Sequence, residues 1–153
     1  MYKRIQTAIT RCLWQAFEGA AGIYTEEPGQ ELQLPCFFVS LPEGSYQQEA
    51  GGRYLRSFPF TIHYFPASES EPRAEMMAVA ERLFDALELL ELPEEEAQPR
   101  RDLRGSQMSY QIADGRLLFF VHYRMHLFCG QAEVPKMETL RQNTSIGKKE
   151  REK

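Results

Sequence analysis

Between Met108 and Phe128 apolar and polar positions alternate with a period of two, interrupted once by Asp114-Gly115. Such alternation puts successive side chains on opposite faces of an extended strand. Asp-Gly between two alternating runs signals a two-residue type I′ turn, which needs φ > 0 at both centres. The turn fixes a register in which Ile112 faces Leu117, Tyr110 faces Phe119 and Met108 faces Val121. These six share one face, continued by Tyr123, Met125 and Leu127, while Gln111, Leu118, Phe120, His122, Arg124, His126 and Phe128 form a mixed opposite face. The pattern predicts a long hairpin with one face on a core and the other partly covered.

Elsewhere the period changes. In residues 3–18, Ile5, Ala8, Ile9, Cys12, Leu13, Ala16 and Phe17 recur at helical spacing, with Trp14 off the stripe and Gly19 and Gly22 as the stop. Ile23 to Thr25 is a short strand candidate, and a polar loop runs from Glu26 to Leu34. Strands are expected at 36–41 and 54–65, with Pro59 marking an edge or a bulge. Taking Gly51-Gly52 as a two-residue turn pairs Leu41 with Ile62 and Val39 with Tyr64, and near the tip Gln47 with Arg56 and Glu49 with Tyr54. That tip is polar and glycine-bearing, so a hairpin arm reaching beyond the core is expected.

A second helix opens with Ser70 as N-cap and Pro72 in its first turn. Its stripe is Met76, Met77, Val79, Ala80, Leu83, Phe84, Leu87 and Leu90, and Pro93 stops it. Glu75, Glu81, Arg82, Asp85 and Glu88 fall on the solvated side, and Glu94 to Arg101 reads as a polar loop. After the central hairpin, residues 131–153 lack periodicity and end in a charged run expected to be disordered. The order implies an α+β fold: a mostly antiparallel sheet built from two hairpins, with two amphipathic helices packed on one face. The expected organisation is one domain over 1–130 and an extended C-terminal tail over 131–153.

Composition narrows the class. The 153 residues are 42% hydrophobic and 26% charged, with a net charge of −4 and a pI near 5.5. That balance argues against a dedicated nucleic-acid binder, which needs a basic face. The acidity is local: residues 69–102 hold eleven acids and four bases, hence −7. Three scattered cysteines without a CxxC fit buried free thiols in a reducing compartment. No leader is read at the N-terminus and no apolar run approaches the roughly 20 residues that span a bilayer. The expected setting is a cytosol, or a particle assembled in one, with no membrane partner.

The search for chemistry returns no catalytic residue, cofactor site or metal site. His122 and His126 share a strand face roughly 13 Å apart at about 3.3 Å per residue, too far to chelate one ion. Cys36 and Cys129 sit in apolar strand contexts, where cysteine behaves as a small hydrophobe. The run Glu94 to Glu96 reads as solvated charge. No Gly-x-Ser-x-Gly, Ser-x-x-Lys, Walker loop, GxGxxG or EF-hand pattern occurs. Phe58, Phe60, Tyr64 and Phe65 with Arg53 and Arg56 could form a single-strand stacking platform, but their alternation reads first as the core face of a strand.

Several segments together carry a resemblance. They are the opening helix, Ile23-Tyr24-Thr25-Glu26-Glu27, and Leu34-Pro35-Cys36-Phe37-Phe38-Val39. They continue with Arg53-Tyr54-Leu55-Arg56-Ser57-Phe58-Pro59-Phe60-Thr61-Ile62-His63-Tyr64-Phe65-Pro66, Leu103-Arg104-Gly105, the Asp114-Gly115 hairpin and Met137-Glu138-Thr139-Leu140-Arg141-Gln142-Asn143. Over roughly residues 3–146 the chain resembles the small tail-terminator (tail-completion) proteins of tailed phages and prophages of Gram-positive bacteria. The matching residues are structural ones.

The resemblance implies a non-enzymatic subunit of a homo-oligomeric ring, usually a hexamer. Such a ring caps the tail tube, stops its polymerisation and contacts the head–tail connector, and DNA passes its channel without sequence readout. The implied location is the tail or neck of a virion assembled in the bacterial host cytoplasm. A ring needs heterologous contacts that close. The segments suited to them are the arm (Glu43, Tyr46, Gln47, Glu49, Arg53, Tyr54, Arg56) and the tail (Met137, Leu140, Ile146), the latter as a strand added to a sheet edge. The alternatives are another neck or connector ring protein, a non-viral binding module, and a small enzyme with a dispersed site.

Overall fold

The computed structural model describes residues 1–29 and 31–128. In chain order these form α1 (Tyr2–Ala16), β1 (Gly22–Tyr24), β2 (Cys36–Ser40), β3 (Ser45–Gln48), β4 (Arg53–Phe65), α2 (Pro72–Ala86), β5 (Leu89–Leu92), β6 (Arg101–Arg104), β7 (Ser106–Ala113) and β8 (Arg116–Phe128). This is an α+β fold. Among the described residues two compact units are distinguished: residues 1–45 with 57–125, and residues 46–56 with 126–128. The expected tail over 131–153 lies outside the described residues.

The main sheet has the order β1-β2-β4-β8-β7, with β3 also paired to β4, and β5 and β6 form a separate two-stranded sheet. β1 runs parallel to β2, whereas β2–β4, β5–β6 and β7–β8 are antiparallel. The central hairpin has the expected turn: Asp114 and Gly115 take φ of 55° and 73°. Its pairs are Ala113–Arg116, Ile112–Leu117 and Tyr110–Phe119. The expected Met108–Val121 pair does not continue this register, because the ladder shifts between Ser109 and Ser106, where Gln107 takes φ 52°. This is a β-bulge, which adds a residue to one strand and bends it.

The first hairpin differs from expectation by two residues. Val39 pairs with Ile62 and Phe37 with Tyr64. The connection is not a two-residue Gly51-Gly52 turn: the Glu49 amide donates to the Arg53 carbonyl (2.8 Å) around a 3-10 turn at Ala50–Gly52. A two-residue slip keeps every side chain on its face, so Val39, Ile62 and Tyr64 remain core residues.

The second helix is shorter than its apolar stripe. It ends at Ala86, and Leu89–Leu92 is a strand paired with Arg101–Arg104. Leu90 and Leu92 are buried while Leu89 and Glu91 are exposed, a period of two that the helical stripe had absorbed. Distant groups take the carbonyls at the helix end: the Tyr123 hydroxyl donates to Leu87 O (2.6 Å) and the Gly105 amide to Glu88 O (2.7 Å). Gly105 is required sterically, since a Cβ there would stand 2.7 Å from the Leu87 carbonyl oxygen. The N-cap position is Glu71, not Ser70, and Ser68 Oγ accepts the Glu71 amide (3.0 Å).

The core of the first unit joins both helices to the sheet. Ile5, Ile9 and Leu13 of α1, Phe37 and Val39 of β2, and Phe60 and Ile62 of β4 are all but sealed from solvent. So are Leu83 of α2, Leu90 and Leu92 of β5, and Leu117, Phe119, Val121 and Tyr123 of β8. Aromatic contacts knit these layers: Phe37 lies 5.0 Å from Phe17 and 4.9 Å from Tyr64, and Phe84 lies 4.9 Å edge-on from Phe119. Arg82 of α2 covers the Phe17 ring (4.2 Å to the centroid) and donates to the Ala16 carbonyl at the end of α1.

One buried charge ties α1 to the β5–β6 sheet. Arg4, 8% exposed, donates to the carbonyls of Pro93 (2.6 Å), Pro99 (2.7 Å) and Leu92 (3.5 Å), with Glu95 3.9 Å from its Nε. Burying a guanidinium is costly unless its donors are matched. Here Nη2 meets all three carbonyls around the β5–β6 loop, whereas Nε is buried without a hydrogen-bond partner, with the Glu95 carboxylate the charge nearest to it.

Candidate assembly interface

In the second unit the expected arm residues come together around the 3-10 turn. All four β3 residues are exposed. The Tyr46 and Tyr54 rings stand 4.9 Å apart, and the Arg56 guanidinium lies 5.7 Å from the Tyr46 centroid. Arg53 reaches Glu49 at 4.0 Å across i,i+4. Gln47 is exposed on β3. Glu43 belongs to the first unit, on the exposed link before β3. Met137, Leu140 and Ile146 lie outside the described residues. Sequence reasoning missed His126, whose Nδ1 lies 3.0 Å from Glu49 Oε1. The partners are 77 positions apart, and only the pairing of distant strands brings them together.

The arrangement is a surface of tilted tyrosine rings and exposed glutamine amides. Among the described residues no group of three or more His, Cys, Asp or Glu could hold a metal ion. Burial pushes the Cys36 and Cys12 thiols up from their ordinary value, away from the reactive thiolate. His63 stacks on Phe38 (centroids 4.9 Å apart) and shares a 3.3 Å hydrogen bond with Ser40 Oγ. Burial, then the positive charge of Arg116, holds it below the usual histidine range against the opposing pull of Glu27. It is a sheet-face imidazole kept neutral.

Glu75 is the polar residue that the stripe misplaced. It accepts from the Tyr64 hydroxyl (2.5 Å) and from the amides of Ser68 (2.8 Å) and Ala67 (3.0 Å). Burial raises its pKa, but these three donors outweigh burial and hold the carboxyl below its ordinary range. The Tyr64 phenol moves the opposite way, raised first by burial and then by that carboxylate. The pair fixes the entry of α2 against β4. An acid in the first turn of a helix was the available signal.

The sheet edges differ in charge. β7 (Ser-Gln-Met-Ser-Tyr-Gln-Ile-Ala) and β1 (Gly-Ile-Tyr) contain no charged residue and no proline. β5 and β6 carry Glu91, Arg101, Asp102 and Arg104. Arg100 lies 3.6 Å from Glu91 and 3.4 Å from Asp102, and Arg104 lies 3.1 Å from Glu88. Among the described residues no helix is long and apolar enough to cross a membrane.

No individual curated protein matches the chain. A family model described as phage tail terminator protein matches residues 4–135, which among the described residues takes in α1 but for its first two residues, α2 and the eight strands. The chain belongs to the phage tail terminator protein family.

Proposed function

We propose that this protein is a ring subunit, the ring being a hexamer that caps the finished tail tube, stops its polymerisation and presents a surface to the head–tail connector. The observation that carries the reading is the family match over residues 4–135. The exposed arm, with its two tyrosine rings in contact and its paired Glu49, Arg53 and His126, supports it as a surface for a neighbour. In this reading residues 1–130 act as one domain with both helices on one face of a sheet built from two hairpins. The arm and the segment 131–153 order on assembly, through Glu43, Tyr46, Gln47, Glu49, Arg53, Tyr54, Arg56, Met137, Leu140 and Ile146. The partners are further copies of the chain, the tube protein and the connector protein. DNA crosses the channel without sequence readout, and the protein resides in the tail or neck of a virion assembled in the host cytoplasm. No chemistry is assigned to it.

The test is the particle made without the protein. Tails of runaway length identify a terminator; tails of normal length lacking heads identify a connector ring instead. Light scattering across concentrations with electron microscopy gives the ring number, and a strict monomer bound to no tube sinks the reading.

A further inference from the structure

We propose that successive copies of the chain join by edge pairing, the outer edge of β7 on one copy against the outer edge of β1 on the next. This rests on the ring reading and names its contact. Among the described residues β1 and β7 close the two ends of the main sheet order, and each has a single hydrogen-bonded neighbour. A sheet edge is a row of unpaired N–H and C=O groups, and proteins guard such edges with charge, proline, bulges or shortness. The β5–β6 sheet of this same chain is guarded by four charged residues and their ion pairs. β7 is guarded only by the bulge at Gln107, which leaves Ser109–Ala113 in regular register.

The hydrogen-bond parity of both strands is fixed. Ala113 and Arg116 flank a two-residue turn, so they, Gln111–Leu118 and Ser109–Phe120 are the hydrogen-bonded pairs. Tyr110 and Ile112 therefore point their N–H and C=O away from β8. On β1 the Gly22 amide donates inward to Pro35 O (3.1 Å), so Ile23 points its backbone groups outward. On β7, Tyr110 is an exposed apolar side chain, at 38% exposure. Near β1 an open groove of about 450 Å³, lined by Tyr2, Phe38, Val39 and Leu41 together with the acids Glu26 and Glu27, offers room for that side chain. Two different edges meeting make a heterologous contact, the kind that closes into rings; β7 against β7 would stop at a dimer.

The test uses the full chain in a Cys12→Ser, Cys129→Ser background, because Cys36 is buried. Thr25→Cys and Gln111→Cys, both exposed positions, are made singly and together and treated with a short bismaleimide, while light scattering and microscopy follow assembly. The expected result is a ladder of covalent oligomers from the double variant and heterodimers from the mixed single variants. Homodimers from Gln111→Cys alone overturn the pairing in favour of β7 against β7. Rings without cross-links overturn the pairing and leave the ring reading intact; cross-linked open chains without closed rings uphold the pairing and overturn the ring. Absence of both oligomers and cross-links overturns the two together. Independently, Ser109→Lys/Gln111→Lys is expected to lower the assembled fraction at least tenfold at fixed concentration with unchanged melting of the subunit; unchanged assembly contradicts the proposal.

Discussion

The β5–β6 sheet and the β7 edge are each eight residues of strand, and they are written in different alphabets. Four of the eight residues in β5 and β6 are charged, and the loop between them is gripped by the buried Arg4. β7 has no charge and lies against β8 on one side only. Stability within the chain does not explain this contrast, since exposed ion pairs contribute about 0–1 kcal/mol each. The contrast lies in what each surface permits. Charge on a sheet discourages added strands, and an edge without charge lacks that guard.

The largest expected effect comes from removing the grip on the charged side. Arg4→Met leaves the Pro93 and Pro99 carbonyls without their donor and frees the loop from α1. A cost on the order of 2–4 kcal/mol is expected in denaturant titration. Arg4→Lys recovers part of it, because all three carbonyls meet the single Nη2 and the shorter lysine stem brings its ammonium less far into them. Ser109→Lys/Gln111→Lys on the neutral edge is expected to shift subunit stability by less than about 0.5 kcal/mol. The comparison breaks if charging the β7 edge costs the isolated subunit as much as losing Arg4.

Gly105→Ala ranks next. Its Cβ would meet the Leu87 carbonyl oxygen at 2.7 Å and Val121 Cγ2 at 3.0 Å, between α2 and β8. Backbone cannot yield as a side chain can, so about 1–3 kcal/mol is expected, read as a lower melting midpoint. An unchanged midpoint would mean that β6 and β7 are free to move off the helix end.

These two residues also show what was legible in the sequence. The central turn was readable because Asp114-Gly115 is a local signal with one backbone solution, and the α1 stripe because its period repeats for four turns. The end of α2 was not: Leu87 and Leu90 satisfy a helical period, and what ends the helix is Tyr123 and Gly105 seizing its last carbonyls from 36 and 17 positions away. The arm's register slipped by two for a similar reason, because a three-residue 3-10 turn and a two-residue turn share the same glycines. Of the candidate interface, the grouping of Tyr46, Tyr54 and Arg56 followed from local pairing. His126 did not, because no short-range pattern links it to Glu49.

A pH series sharpens the account at the α2 entry. The Glu75 carboxyl is held below its ordinary range, so the folded state binds fewer protons there than the unfolded chain does. Its stabilising contribution is present above about pH 4.5 and is lost as pH falls through the lower folded value. Glu75→Gln is expected to lower stability at pH 7 and to flatten the acid limb below pH 4.5. Tyr64→Phe, which removes one of three donors, retains a weakened acid limb. Parallel acid limbs in wild type and Glu75→Gln would assign that limb to other carboxylates.

The smallest effect on stability is the one that separates guarding from holding. Arg100, 60% exposed at its side chain, bridges Glu91 and Asp102 at 3.6 and 3.4 Å. Arg100→Ala is expected to change stability by no more than about 0.5 kcal/mol. If the charges act as guards, a Glu91→Gln/Asp102→Asn/Arg104→Gln variant melts close to wild type yet self-associates at concentrations where wild type does not, measured by light scattering at rising concentration. It would then behave as proposed for the β7 edge, with the added contacts at the wrong sheet. A stripped sheet that melts early without associating would show that these ion pairs hold β5 to β6, and the contrast between the two edges would lose its functional meaning.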